Sequence, residues 1–211
     1  MFNFIANSRL IHNIVSYFVN YVPILFTHNF SKYQSVKKIL YAVKIDKIEG
    51  DYCEFGCFTG ACLNHALNFH KLNMPEKKMN FYGFDSFEGF PVEIHSEFTS
   101  KQFIPNFNLV KKLEKKFKNC IIIKGFFSDT LRDEEVKKKI KNISVAFIDC
   151  DLGISAEPVF EFIKPILQNG SYIIIDESIL KRVNKHFKIN QDIFIHNYFG
   201  NAGMVFKFIK N

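Results

Sequence analysis

Tryptophan is missing from the 211 residues, and arginine occurs only at Arg9, Arg132 and Arg182. Arginine is the side chain best shaped for bidentate contact with phosphates and base edges. The net charge of +7 is therefore almost wholly lysine, and it argues little for a nucleic-acid partner. Abundant Lys, Ile, Asn and Phe fit an AT-rich coding bias equally well. Cysteine is sparse too: Cys53, Cys57, Cys62, Cys120 and Cys150 form no Cys-x-x-Cys pair and no closed zinc spacing. Their odd number and apolar neighbours predict buried thiols in a reducing cytoplasm. The 10 glycines and 6 prolines form no Gly/Ser linker, low-complexity tract or repeat. With 47% hydrophobic and 23% charged residues the chain is neither disordered nor fibrous. A chain of this length buries about 70% of its unfolded surface, so it needs no disulfide or metal staple.

Long hydrophobic runs are also lacking. Residues 10–26 are rich in apolar side chains, but His12, Asn13, Ser16 and Asn20 interrupt them and Pro23 breaks them. That stretch is too short and too polar for a membrane span. No basic segment followed by a small-residue cleavage site precedes it. Residues 1–45 are expected to form a helical extension broken at Pro23, with a second amphipathic segment over residues 31–43. Its expected role is to cover an active site or mediate self-association; the alternative is an interfacial membrane helix.

From Asp51 the pattern changes. Short apolar runs rich in β-branched and aromatic residues, at 52–56, 80–85, 120–124, 145–149 and 172–176, predict strands covered on both faces. Between them, residues 61–72, 109–117, 134–141 and 156–164 read as helices. Pro165 ends the last helix, and Asn169-Gly170 turns the chain into the next strand. Residues 192–196 and 204–209 read as a terminal antiparallel pair. The expectation is an α/β fold: a doubly wound, mostly parallel, seven-stranded Rossmann-like sheet over residues 46–211.

Four strand ends finish in acid: Glu54, Asp85, Asp149 with Asp151, and Asp176 with Glu177. Open α/β sheets bind ligands at the carboxyl ends of their strands. Any one acid could equally well cap the helix or loop after it; four together point to a site. The first strand enters Glu54-Phe-Gly-Cys-Phe-Thr-Gly60, whose Gly-x-x-x-Gly spacing is not the dinucleotide fingerprint. This disfavours a nicotinamide oxidoreductase. Asp85 stands where an acid accepts hydrogen bonds from ribose hydroxyls.

These pieces occur in one order with Phe84-Asp-Ser-Phe-Glu-Gly-Phe-Pro91, Lys124-Gly-Phe-Phe-Ser-Asp-Thr-Leu131, Phe147-Ile-Asp-Cys-Asp-Leu152 and Ile175-Asp-Glu177. Over residues 48–177 the chain resembles the macrocin O-methyltransferase family, class I S-adenosylmethionine-dependent enzymes that methylate sugar hydroxyls, typically with bound magnesium. The resemblance implies a methyltransferase domain at 46–211. It sets Glu54, Gly56, Thr59 and Gly60 around the methionine part of the cofactor, and Asp85 and Ser86 at the ribose. Gly125, Phe127, Ser128 and Asp129 fall beside the adenine, and Asp149 between cofactor and acceptor. Asp149, Asp176 and Glu177 match the metal-binding acids. Two departures stand out: Gly153 replaces an aromatic residue, and Glu177 stands where aspartate is commoner.

Magnesium is a hard cation that suits carboxylates on adjacent strand ends, and beside a sugar hydroxyl it favours the alkoxide. The competing arrangement is a lysine, Lys181 for instance, neutralising the acids without metal. His95, after Pro91, is a candidate base, whereas His65 and His70 on the first sheet helix read as structural. The lysine clusters at 111–118 and 137–141 read as solvated helix faces. Competing functions are an RNA or other nucleic-acid methyltransferase, against which stands the lack of an Asn/Asp-Pro-Pro-aromatic loop, and a catalytically degenerate cofactor-binding protein.

Overall fold

A computed structural model describes residues 8–90, 104–150, 153–176 and 180–210. Two helices come first, α1 (Arg9–Tyr21) and α2 (Ile24–Ile45), separated at Pro23. Then strands and helices alternate: β1 (Asp51–Phe55), α3 (Ala61–Asn73), β2 (Phe81–Asp85), α4 (Phe107–Lys116), β3 (Cys120–Lys124), α5 (Phe127–Thr130) and α6 (Glu134–Lys139). They continue as β4 (Ile143–Ile148), α7 (Gly153–Ile163), a 3-10 turn (Lys164–Ile166), β5 (Leu167–Ile175), α8 (Leu180–His186), β6 (Ile193–Phe199) and β7 (Gly203–Phe208).

The seven strands form one sheet in the order β3-β2-β1-β4-β5-β7-β6. β1 to β5 are parallel, while β7 runs antiparallel to both β5 and β6. This is the expected doubly wound sheet with a terminal antiparallel pair. From β1 the chain winds outward to β2 and β3, then returns to β4 on the other side. The crevice beyond the carboxyl ends of β1 and β4 is thus the switch point at which such sheets bind ligands.

Strand side chains alternate between faces, so each strand feeds two cores. On one face Tyr52, Phe81, Val145, Phe147, Tyr172 and Ile174 pack with Leu63, Leu67, Val110 and the α2 stripe Val36, Ile39, Leu40 and Val43. On the other, Phe55, Phe84, Ala146, Ile148, Ile173 and Ile175 pack with Val136, Val159, Phe160 and Val183. The extension therefore divides at Pro23. α2 is built into the core, whereas α1 buries no residue and exposes Leu10, Ile14, Tyr17 and Phe18. Among the described residues no single helix is long and apolar enough to cross a membrane.

The strand β5 begins at Leu167, five residues before the expected Tyr172. Asn169-Gly170 is spent as an irregularity inside the strand: Ile143 pairs with Leu167, but Val145 pairs with Tyr172. Ser171 closes the gap, its hydroxyl donating to the Ile143 carbonyl at 2.6 Å and accepting the Gln168 N–H at 2.9 Å.

Candidate active site

The β1–α3 loop is held from three directions. Gly56 N–H and Cys57 N–H both donate to the Phe84 carbonyl, at 2.8 and 3.1 Å. Gly56 has φ +90, and a Cβ there would lie 1.8 Å from the Asp149 carbonyl oxygen. Only glycine lets the ends of β1 and β4 come this close. Gly60, also left-handed, is the N-cap of α3, which has no side-chain cap. Phe58 and Thr59 between them are exposed.

Asp85 ends β2 and clamps this loop to the next. Its Oδ2 accepts the Phe58 N–H and its Oδ1 the Phe87 N–H, each at 2.8 Å. Phe58 and Phe87 are both non-glycine residues with positive φ, 45 and 55 degrees. Such backbone costs on the order of 1 kcal/mol or more per residue; two hydrogen bonds to a carboxylate offset it. Burial raises the Asp85 pKa, and these two bonds oppose the rise. The Ser86 hydroxyl donates to the Gly89 carbonyl at 2.8 Å and accepts the Glu88 N–H, so Ser86 shapes the Asp-Ser-Phe-Glu-Gly turn from within. Gly125 N–H donates to the Asp85 carbonyl at 2.9 Å, bringing the β3 loop to the same edge. Beyond it Ser128 and Asp129 are exposed on α5, while the Phe127 ring meets Phe55 edge-on at 6.1 Å.

Glu54 lies beneath this loop. It is only 1% exposed, and its Oε2 accepts the Tyr52 O–H at 2.8 Å. Burial pushes its carboxyl up to about 8, against the lowering effect of the Tyr52 bond.

The second half of the site is an acid pair. The main-chain ladder carries Asp149 and Asp176 past adjacent strand ends: Asp149 N–H donates to Phe55 O and Asp176 N–H to Ile148 O. Between the carboxylates lies Lys32 of α2, its Nζ 2.9 Å from Asp149 Oδ2 and 2.7 Å from Asp176 Oδ2. His28, one turn earlier, binds Asp176 Oδ1 through Nε2 at 3.1 Å. The Asn201 N–H donates to His28 Nδ1 at 3.3 Å, so neutral His28 carries its proton on Nε2 and donates it to Asp176. Burial and the nearby Asp176 raise the Asp149 pKa, opposed by Lys32. Lys32 is held above its ordinary value because the two carboxylates outweigh its burial.

The model of the family described as Macrocin-O-methyltransferase (TylF) matches residues 30–195. The chain belongs to the macrocin O-methyltransferase family. As a member it is an O-methyltransferase, and the match takes in Lys32 as well as every strand of the parallel sheet. Among solved structures, CalS11, described as a calicheamicin methyltransferase, shares 20% identity at a TM-score of 0.73, over 97% of this chain and 88% of its own. The O-methyltransferase NovP shares 16% identity at a TM-score of 0.69, over 85% and 80%. At these identities the likeness is one of fold. No curated protein sequence matches the chain.

In this macrocin-type methyltransferase, Gly56, Gly60, Asp85, Ser86, Gly125 and Asp149 gather at one sheet edge. Thr59, Phe127, Ser128 and Asp129 stand on the loops around it, and Glu54 supports it from below. His95, Asp151 and Glu177 lie outside the described residues. His65 and His70 are structural, bonded to the carbonyls of Tyr33 and Lys77.

Magnesium, which the family implies, finds no open oxygen between Asp149 and Asp176 as they are arranged, and Glu177, the third acid expected to hold it, lies outside the described residues. Both inward-facing oxygens, Asp149 Oδ2 and Asp176 Oδ2, already bind Lys32. Among the described residues no group of three or more His, Cys, Asp or Glu side chains is placed to hold a metal ion. The lysine alternative fits through Lys32; the Lys181 side chain lies outside the described residues. Sequence reasoning missed Lys32 and His28. The available signal was their place, one turn apart, on the same helical stripe as Val36, Leu40 and Val43.

Proposed function

We propose that this O-methyltransferase transfers a methyl group from S-adenosylmethionine to a hydroxyl of a sugar or glycosylated small molecule. What carries the reading is the convergence of the Gly56–Gly60 loop, Asp85 and Asp149 on the crevice at the sheet's switch point, in a chain of this family. The residues present fit the cofactor: a loop with no room for a Cβ at Gly56, an uncapped α3 N-terminus, and a carboxylate ending β2. Gly56, Thr59 and Gly60 would hold its methionine part, Asp85 and Ser86 its ribose, and Gly125, Phe127, Ser128 and Asp129 its adenine. Glu54, buried and bonded to Tyr52, would lie beneath the cofactor without reaching the surface. When bound, S-adenosylmethionine supplies an electrophilic methyl group on a sulfonium.

Asp149 borders both the loop and the acid pair, and in this reading it would orient the acceptor hydroxyl and take its proton. His95 is the second candidate for that proton. Holding acceptor and methyl donor in line supplies much of the rate, because a displacement of this kind responds strongly to positioning. A sugar acceptor suits an edge lined with carboxylates, which accept hydrogen bonds from hydroxyls. One relative of the same fold, CalS11, is described as a TDP-rhamnose 3'-O-methyltransferase. Residues 46–211 would form the catalytic domain, with α2 over its acid pair, and the buried thiols of Cys53, Cys57, Cys62 and Cys120 suit a cytoplasmic setting.

Calorimetry with S-adenosylmethionine tests the reading, with NAD and an oligonucleotide as controls. Asp85→Ala removes the ribose acceptors and the clamp on Phe58 and Phe87. Affinity should fall by about 2–4 kcal/mol, roughly 30- to 1000-fold. Unchanged affinity would sink the assignment of Asp85, and tight binding of NAD instead would sink the methyltransferase reading.

A further inference from the structure

We propose that Lys32 is the resident cation of the acid pair in this chain: its ammonium stands where a divalent ion would lie, and Asp149 and Asp176 take up no divalent metal while α2 is docked. The proposal rests on the methyltransferase reading for the meaning of the pair, but its geometry is independent of it.

Three observations support a fixed lysine, as distinct from a surface side chain that happens to reach the acids. The first is the contact itself. Nζ binds both carboxylates at lengths normal for charge-assisted hydrogen bonds, and the Lys32 side chain is 11% exposed. A lysine ammonium has three donors and no acceptor, so these two bonds engage most of its capacity. Its Nζ also lies 5.9 Å from the centre of the Phe147 ring, a favourable place for a cation with little access to water.

The second is that α2 is held on both sides of Lys32. One turn before it, His28 is fixed at both ring nitrogens, by Asp176 and by the Asn201 N–H. The β6–β7 turn is shaped to receive that ring: a Cβ on Gly200 would lie 2.1 Å from His28 Nδ1. One turn after it, Val36 is fully buried, followed by Ile39, Leu40 and Val43 in the same core. Moving Lys32 away by lifting α2 would expose that stripe.

The third is charge. Magnesium or manganese entering between the two Oδ2 atoms would meet an ammonium already there. It would have to expel the lysine or sit beside a like charge, after first giving up part of a tightly held water shell. The pair offers two carboxylates for that exchange, and His28 occupies Asp176 Oδ1. Lys32 thus acts as a positioning residue: it holds the Asp149 carboxylate at the crevice, where the family resemblance implies a metal.

Manganese is the probe, followed by its electron paramagnetic resonance signal, which is lost when the free ion binds. Purified full-length chain is titrated as wild type, Lys32→Ala, and Lys32→Met, which keeps an apolar stem over Phe147. The double variant Lys32→Ala/Asp149→Asn serves as control. The expected result is manganese binding by one or both single variants at least about tenfold tighter than by wild type or the double variant, neither of which should bind measurably. Stoichiometric binding by wild type that the double variant lacks would overturn the proposal. So would failure of both single variants, folded by circular dichroism, to bind, because Lys32 would then not be what excludes the ion. Calorimetry with S-adenosylmethionine on the same wild-type sample keeps the two readings apart. Loss of cofactor binding would refute the methyltransferase reading whatever manganese does.

Discussion

Replacing Glu54 by glutamine tests whether the acid beneath the β1–α3 loop is kept neutral by burial. Glu54 is 1% exposed, and burial is the largest cause of its rise from 4.5 to about 8. Folding therefore makes this carboxyl a weaker acid. Between the two values the folded chain holds a proton that the unfolded chain has released, so stability falls as pH rises through that window. The full rise corresponds to about 5 kcal/mol, of which about 4 kcal/mol is lost between pH 5 and pH 9. Glutamine keeps a carbonyl acceptor for the Tyr52 O–H but has no proton to lose. Guanidinium unfolding at pH 5, 7 and 9 should give a midpoint for Glu54→Gln that gains steadily on wild type as pH rises, with unchanged slope. Any constant cost of rearranged hydrogen bonds shifts the whole difference without tilting it, and the other titrating groups cancel between the two proteins. Parallel pH profiles for wild type and variant would refute the argument, because Glu54 would then titrate alike folded and unfolded.

Gly56→Ala should destabilise the fold by about 2–4 kcal/mol, from the left-handed backbone and the 1.8 Å approach to the Asp149 carbonyl; a denaturation midpoint equal to wild type would contradict that packing. Leu40→Ala in α2, at 0% exposure, should cost about 2–5 kcal/mol. Phe18→Ala in α1, at 64% exposure, should stay within about 0.5 kcal/mol; equal losses in thermal melts would mean that the two helices do not differ in burial as described.

The parallel sheet was legible in the sequence because each strand is a short apolar run between turn residues, and burial on both faces leaves few other uses for such runs. The C-terminal pair was legible from its short apolar runs alone, since β6 at the sheet edge is largely exposed. Asn169-Gly170 misled because a turn dipeptide also suits a bulge, and only the pairing of β5 with β4 distinguishes them. At the site, the acids at strand ends and the tight glycine loop could be read directly. What each acid binds could not be. Asp85 grips two backbone N–H groups from different loops, and Glu54 turns inward to a tyrosine two residues before it. Lys32 escaped for a plainer reason: its partners, Asp149 and Asp176, are 117 and 144 positions further along the chain, and no local pattern joins them. A lysine on an apolar stripe was the trace it left.

The contacts of His28 also set an order of events in time. Its two partners stand 148 and 173 positions away, on β5's far end and in the β6–β7 turn. As the chain is made, α2 emerges early with an apolar stripe and two basic side chains that have nothing to hold. The stripe can be covered once β1 and α3 follow, but the seat for the His28 ring exists only after the final hairpin closes. Contacts this distant in sequence form slowly, since a long loop must be closed before they return any stability. The seat of His28 is therefore completed last, and a chain released before its final hairpin would still bring Lys32 to Asp149 and Asp176 while lacking the Asn201 contact that fixes the His28 ring.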